Sequence, residues 1–139
     1  MTTARYMLDT NIVSDVVRNP FGPAAEKLYH LSQDDICISS IVLSEILFGI
    51  KRKGSARLSH LVEGLLTRIA TVDYGPAAAR HYADIRTSLE QRGTLIGTTD
   101  MFIAAHALSL DIILVTNNVR EFSRVEGLKI ENWIEGSQP

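Results

Sequence analysis

The unbroken apolar run Ile112-Ile113-Leu114-Val115 constrains this chain more than any other feature. A strand with one wet face alternates apolar and polar side chains. A short run without alternation suits a strand covered on both faces, the situation at the centre of a parallel sheet. Four other β-like segments, at 5–9, 36–39, 70–73 and 128–130, join the one at 112–116, and helical patterns separate all five. Strands alternating with helices predict an α/β fold, a parallel sheet with helices on both faces. The stretch Leu128-Lys129-Ile130-Glu131 alternates and so belongs at an edge. The short, weak segment at 70–73 belongs at the other.

Helix signals fill the gaps. Leu58, Leu61, Val62, Leu65, Leu66 and Ile69 repeat at i, i+3, i+4, i+7 and define one apolar face. Gly54 ends the helix before them, so about 41–69 reads as a helical hairpin between the second and third strands. Its apolar content exceeds what one sheet face covers, which predicts a partner on it. Pro76 suits a helix start, and Gly93 follows Arg92 past that helix's end. With 139 residues, no repeats and no linker-like stretch, 1–139 is expected to be a single domain.

Bulk properties exclude several classes. Apolar residues make up 45% and charged residues 22%, the balance of a globular chain. No apolar run approaches the roughly 20 residues of a membrane helix. The N-terminal residues lack a signal peptide's pattern, which predicts a cytoplasmic protein. Cys37, flanked by Ile36 and Ile38, reads as a buried strand cysteine in a reducing compartment. The net charge of −2 argues against a generally basic nucleic-acid binder. A polyanion would need a local patch, and Lys51-Arg52-Lys53 with Arg57 is the best one; the same residues also read as a solvated inter-helix loop.

Three acids stand out. Asp9 follows the strand-like Tyr6-Met7-Leu8, at the strand end where open α/β sheets place their ligands. It could equally be a helix N-cap, although Thr10 and Asn11 could cap instead and leave it free. Glu45 lies among Ile41, Val42, Leu43, Ile46, Leu47 and Phe48, so it is expected to be buried and to need a cation. Arg80, Arg86 or a metal could provide one. Asp100 opens the helix after Gly97-Thr98-Thr99, where the macrodipole favours an acid. It shares a stripe with Ile103, Ala104 and Ala107, whose small members let the helix lie close to the sheet. Three carboxylates from distant segments, each without a local partner, point to one hard-cation site.

The residues Thr116-Asn117-Asn118 end the fourth strand, and Glu121 follows one turn later. If the first and fourth strands are neighbours, a crevice opens between their ends, with Asp9 and Asn118 flanking it. His106 lies off the Asp100 stripe and reads as a surface or packing residue, and His30, His60 and His81 lack ligand spacing. There is no phosphate loop, dinucleotide fingerprint or nucleophile elbow. Any chemistry is therefore carboxylate chemistry.

Taken in order, the segments Met7-Leu8-Asp9-Thr10-Asn11, Ile38 through Gly49, Asp100 through Ala107, Leu114 through Asn118 and Arg120 through Leu128, with Glu131-Asn132-Trp133, cover nearly the whole chain. In that order and spacing the chain resembles the PIN-domain ribonucleases, specifically the VapC-type toxins of bacterial toxin–antitoxin pairs. The resemblance implies a three-layer α/β/α fold with a five-stranded parallel sheet ordered 3-2-1-4-5. It also implies a Mg2+- or Mn2+-dependent endoribonuclease, acting on RNA such as transfer RNA and held inactive by a small VapB-type antitoxin. A homodimer is a further expectation, and a membrane partner is not. Asp9, Glu45 and Asp100 fall on the family's acidic positions: Asp9 and Asp100 as direct metal ligands, Glu45 completing the site directly or through water. Asn118 stands where many relatives carry a fourth acid, with Glu121 as an accessory candidate for the missing charge. A phospho-accepting receiver domain would need an acid pair after the first strand, where Thr10-Asn11 stand, and a lysine after the last. A catalytically weak or inactive RNA- or protein-binding module is the remaining alternative, and Asn118 is its best argument.

Overall fold

Five short parallel strands form one sheet in the order β3-β2-β1-β4-β5, as the resemblance implied. A computed structural model of the chain describes residues 2–135. The strands are β1 (Tyr6–Leu8), β2 (Ile36–Ser39), β3 (Ala70–Val72), β4 (Ile113–Val115) and β5 (Ile130–Glu131). The fifth lies slightly later than the 128–130 expected. Between them run α1 (Thr10–Arg18), α2 (Pro23–His30), α3 (Ser40–Lys53), α4 (Ala56–Leu66), α5 (Pro76–Gln91), α6 (Thr98–Leu110) and the single turn α7 (Val119–Phe122).

Burial follows the sheet order. The central strands β1 and β2 are buried throughout, and at the edge Ala70 and Thr71 of β3 are exposed. The chain steps outward from β1 to β2 to β3, then returns across β1 to β4. Right-handed crossovers in opposite directions lay α1–α4 and α5–α6 over opposite faces. Register pairs Leu8 with Val115, so the residues that follow, Asp9 and Thr116, emerge side by side at the carboxyl edge of the sheet.

The hairpin forms as its sequence predicts. Gly54 takes φ 64°, a left-handed conformation that closes α3 without a Cβ penalty, and Ser55 caps α4 by accepting from Leu58 N. The sequence stripe on α6 proved too narrow. Met101 and Ile103 through Ala107 are all buried, because small alanines let this helix sit deep between the sheet and α5.

His106 is consequently a core residue rather than a surface one. Its Nδ1 lies 2.7 Å from the Ser39 hydroxyl, the ring hydrogen-bonds the Asp73 backbone, and Tyr74 stacks edge-on at 5.5 Å. Burial pushes its pKa down, against the Asp73 backbone hydrogen bond and charge, which favours the neutral ring. Ser39 also accepts from Ile41 N at 3.1 Å, capping α3. One hydroxyl thereby ties α6 to the start of α3.

Ser39→Ala removes a helix cap and orphans a buried imidazole nitrogen, so it should cost about 2–3 kcal/mol. His106→Phe keeps the cap, and in the double variant the two losses should fall short of their sum. Urea unfolding of the three variants checks this.

Candidate active site

The carboxylate of Asp9 is 4% exposed and fully engaged on its protein side. Its backbone N–H donates to Val115 O of β4 at 2.9 Å. Asp9 Oδ1 accepts from Thr10 N at 2.8 Å, which makes Asp9 itself the cap of α1. Oδ2 accepts from the Thr116 hydroxyl at 2.8 Å and from Asn11 Nδ2 at 3.2 Å. Capping and a role at the strand end therefore coexist, one on each oxygen. A carboxylate has roughly four lone-pair sites, so three donors leave room for one more positive group.

Thr10, considered as a cap from sequence, does something else. Its hydroxyl donates to Glu45 Oε1 at 2.6 Å, bridging α1 and α3. Glu45 is half-buried, not buried as expected. Helix α3 sends Val42 and Ile46 into the core and turns Leu47 and Phe48 outward, 39% and 63% exposed, and Glu45 lies on the border. Neither Arg80 nor Arg86 pairs with it among the described residues; Arg86 donates to the Tyr82 hydroxyl instead.

Asp100, half-buried in the first turn of α6, accepts from Asn118 Nδ2 at 3.3 Å. Its carboxyl is pushed up to about 6, first by burial and then by the negative charges of Asp9, Glu121 and Glu45; the Asn118 hydrogen bond opposes this. Burial likewise raises Asp9, with Glu45 adding to it, against the hydrogen bonds from Thr116, Thr10 and Asn11. The acids thus feel one another, and no ion pair among the described residues relieves them.

Asp9, Glu45, Asp100 and Asn118 open into one trough of about 630 Å3, walled by α1, α3 and α4. Glu121 acts on Asp100 through its charge but does not line this trough. Among the described residues no three acid, histidine or cysteine side chains stand close enough to form a ready-made ligand cage. A small hard cation such as Mg2+ takes one or two carboxylates from protein and keeps several waters, so it does not require such a cage. The donors are all oxygens, the acids repel, and Asp9 retains an unused lone pair, so the residues present fit such an ion.

Thr116 was read only as part of the polar end of the fourth strand, with no role of its own. It accepts from Asn118 N at 3.0 Å while donating to Asp9, so it organises both neighbours. The signal was available in the strand register, because a threonine ending one central strand must meet whatever ends the next. Asn11 and Asn117 were missed as a pair: Asn117 N donates to Asn11 Oδ1 at 3.1 Å, an exposed contact that ties the segment after β4 to α1.

Comparison with known proteins agrees with this fold. The PIN domain family model matches residues 6–128. The tRNA(fMet)-specific endonuclease VapC of Shigella flexneri is 42% identical over 130 residues, covering 93% of this chain and 98% of that protein. Ribonuclease VapC2 of Haemophilus influenzae is 42% identical over 134 residues, with 94% and 98% covered. Among solved structures, DNA-bound VapBC from Salmonella typhimurium superposes with a TM-score of 0.86 at 38% identity, covering 94% of this chain and 99% of that one. VapBC2 from Rickettsia felis, bound to a DNA fragment from its promoter, gives 0.84 at 36% identity, with 92% and 98% covered.

The raised Asp100 carboxyl has a thermodynamic consequence. Between its ordinary 3.8 and about 6 the folded protein holds a proton that the unfolded chain has released. Metal-free stability should therefore fall as pH rises through that window. Asp100→Asn should unfold at a higher temperature than the parent at pH 8, with the gap shrinking toward pH 4. Melting curves of both proteins in chelator, across pH, check the sign.

Proposed function

We propose, for a chain that belongs to the PIN-domain family, that it is the ribonuclease toxin of a VapBC-type pair, hydrolysing RNA phosphodiester bonds at the Asp9–Glu45–Asp100 trough. The observation that carries this reading is that Asp9 at the β1–α1 junction, Glu45 of α3 and Asp100 of α6 line one trough, and that no ion pair among the described residues neutralises any of them. Relatives named as ribonucleases and as a tRNA(fMet)-specific endonuclease support RNA as the substrate, with transfer RNA the favoured class. PIN-domain nucleases are generally dependent on a divalent metal, and the all-oxygen donor set favours Mg2+, with Mn2+ as a substitute.

Asp9 and Asp100 would hold the ion, which when bound polarises the phosphoryl oxygen and acidifies a water. Asp9 does its part from a rigid position, because Thr116, Asn11 and Thr10 N hold its side chain against the ends of β1 and β4. Glu45, kept in place by the Thr10 hydroxyl, orients the attacking water and accepts its proton. Asn118 presents an N–H to Asp100, so it steadies that carboxylate instead of contributing charge. This assigns the departure at the fourth position a positioning role and weakens the reading of an inactive module.

The antitoxin side of the pair has a place to bind. Leu47, Phe48 and Leu61 on the α3–α4 hairpin are 39%, 63% and 44% exposed. Such apolar surface wants a partner, and two of the solved relatives described above are VapBC complexes.

Purified protein should cleave RNA only with Mg2+ or Mn2+ and lose activity in chelator. Asp100→Asn should reduce cleavage by at least about a hundredfold while remaining folded. Asp9→Asn should do the same but also lose about 1–2 kcal/mol of stability, since its amide would face the Asn11 donor. RNA gel assays beside melting curves decide; full activity in Asp100→Asn, or cutting that survives chelation, would sink the mechanism.

Asn118→Asp exchanges the hydrogen bond to Asp100 for a fourth charge. It should lower the Mg2+ midpoint for cleavage several-fold while reducing metal-free melting temperature, and Glu121→Gln should raise that midpoint modestly. Mg2+ titrations of both variants, read by cleavage and by melting, test the pair.

A further inference from the structure

We infer that the end of the trough remote from the acids is a phosphate subsite, formed by Arg18 and Lys53, that holds the RNA strand some nucleotides away from the scissile bond; the inference rests on the ribonuclease reading above. Helices α1 and α3 each follow one of two neighbouring parallel strands, β1 and β2, so they run the same way along the trough. At the acid end the Thr10–Glu45 hydrogen bond joins the start of α1 to the second turn of α3. Arg18 lies at the last turn of α1 and Lys53 at the last turn of α3, and both line the same trough as the acids. At 1.5 Å per residue, the stretches from Asp9 to Arg18 and from Glu45 to Lys53 each cover roughly 12–14 Å.

Cations at helix C-termini are favoured by the macrodipole alone. That accounts for basic residues in these turns, but not for one from each helix facing the same opening with no carboxylate on it. Neither Arg18 nor Lys53 forms an ion pair among the described residues, in a chain with 16 acids. A divalent cation held at the acid end would place one cationic contact there, and Arg18 and Lys53 supply two at the other end. Cationic contacts spaced along a trough suit an occupant that carries phosphates along its length, as a nucleic-acid strand does.

The middle of the trough is kept clear. Gly49 lines it halfway between Glu45 and Lys53, and a Cβ built there would meet nothing within 4 Å. Glycine inside a helix costs about 0.5–1 kcal/mol relative to alanine, so this position holds open space at the expense of helix stability. The flanking floor, including Val17 and Ile50, is apolar and offers surface to ribose and base faces without competing for phosphate. A stacked strand advances about 3.4 Å per nucleotide, so the trough spans about three to four stacked nucleotides, fewer when extended.

The test uses the full chain and single-stranded RNA oligonucleotides trimmed one nucleotide at a time on either side of the cleavage point, with cleavage and anisotropy binding both measured. Arg18→Gln/Lys53→Gln should raise KM about tenfold on long substrates, with kcat falling less than threefold. It should also lower the salt dependence of binding by about 1.4 log units per log unit of salt, from about 0.7 for each phosphate contact on a single strand. Parent and double variant should converge once trimming on one side leaves no phosphate able to reach the basic end. Gly49→Trp should block long strands more than short ones, and Lys129→Gln, which removes the same charge outside the trough, should change KM less than twofold. Equal KM and salt slopes for parent and double variant at every length would overturn the subsite. So would unchanged RNA binding with weakened binding of a cognate partner protein, which would make the basic pair a partner contact. If no RNA is cleaved by the parent, the nuclease reading falls and the anisotropy slopes alone decide the subsite, for or against.

Discussion

The hydrogen bond from the Thr116 hydroxyl to Asp9 Oδ2 joins the ends of the two central strands, and the rest of the site is arranged around it. An ionised carboxylate at 4% exposure is tolerable only when donors surround it. Thr116 from β4, Thr10 N from α1 and Asn11 supply them. Because the register places residues 9 and 116 side by side, strand pairing itself delivers the donor. From there the chain of contacts runs outward: Thr116 to Asn118 N, Asn118 to Asp100, Thr10 to Glu45. Each acid is steadied by a neutral neighbour and none is neutralised.

This is an arrangement that stores repulsion. Burial and neighbouring acids raise both Asp9 and Asp100, so the metal-free protein pays for its site in stability. The hydroxyls and amides around the acids keep the geometry from relaxing by pairing with lysine or arginine. In the proposed reading, a hard cation held by Asp9 and Asp100 would relieve that repulsion. The buried Ser39–His106 contact adds to that rigidity at a distance, since it ties the helix bearing Asp100 to the start of the helix bearing Glu45.

Much of this was legible in the chain. The apolar run at 112–115, the alternation at 128–131 and the weak segment at 70–73 assigned centre and edges of the sheet. Gly54 marked the hairpin, and Asp9, Glu45 and Asp100 were recognisable as acids without local partners. The misreadings have physical causes. Glu45 was expected to be buried because apolar neighbours in sequence spread around a helix, and Leu47 and Phe48 turned to solvent. His106 was left open between surface and packing, because a one-sided stripe was assumed for α6, and the alanines that allow burial nearly all round decided for packing. Thr10 was offered as a cap that would free Asp9, yet the shorter path from Asp9 Oδ1 to Thr10 N won, and the threonine hydroxyl was left for Glu45.

The sequence by itself determined the element types, the parallel α/β class and the identity of the acids, because periodicity, turn residues and unpaired charges are local properties. Only the tertiary structure decided which donors each acid meets, that Asn118 offers an N–H to Asp100, and that Arg18 and Lys53 share a trough with residues up to 100 positions away. Those outcomes depend on strand register and on the direction in which neighbouring helices run. Both are set by how the sheet is ordered in space, β1 lying between β2 and β4, and no short stretch of chain encodes that order.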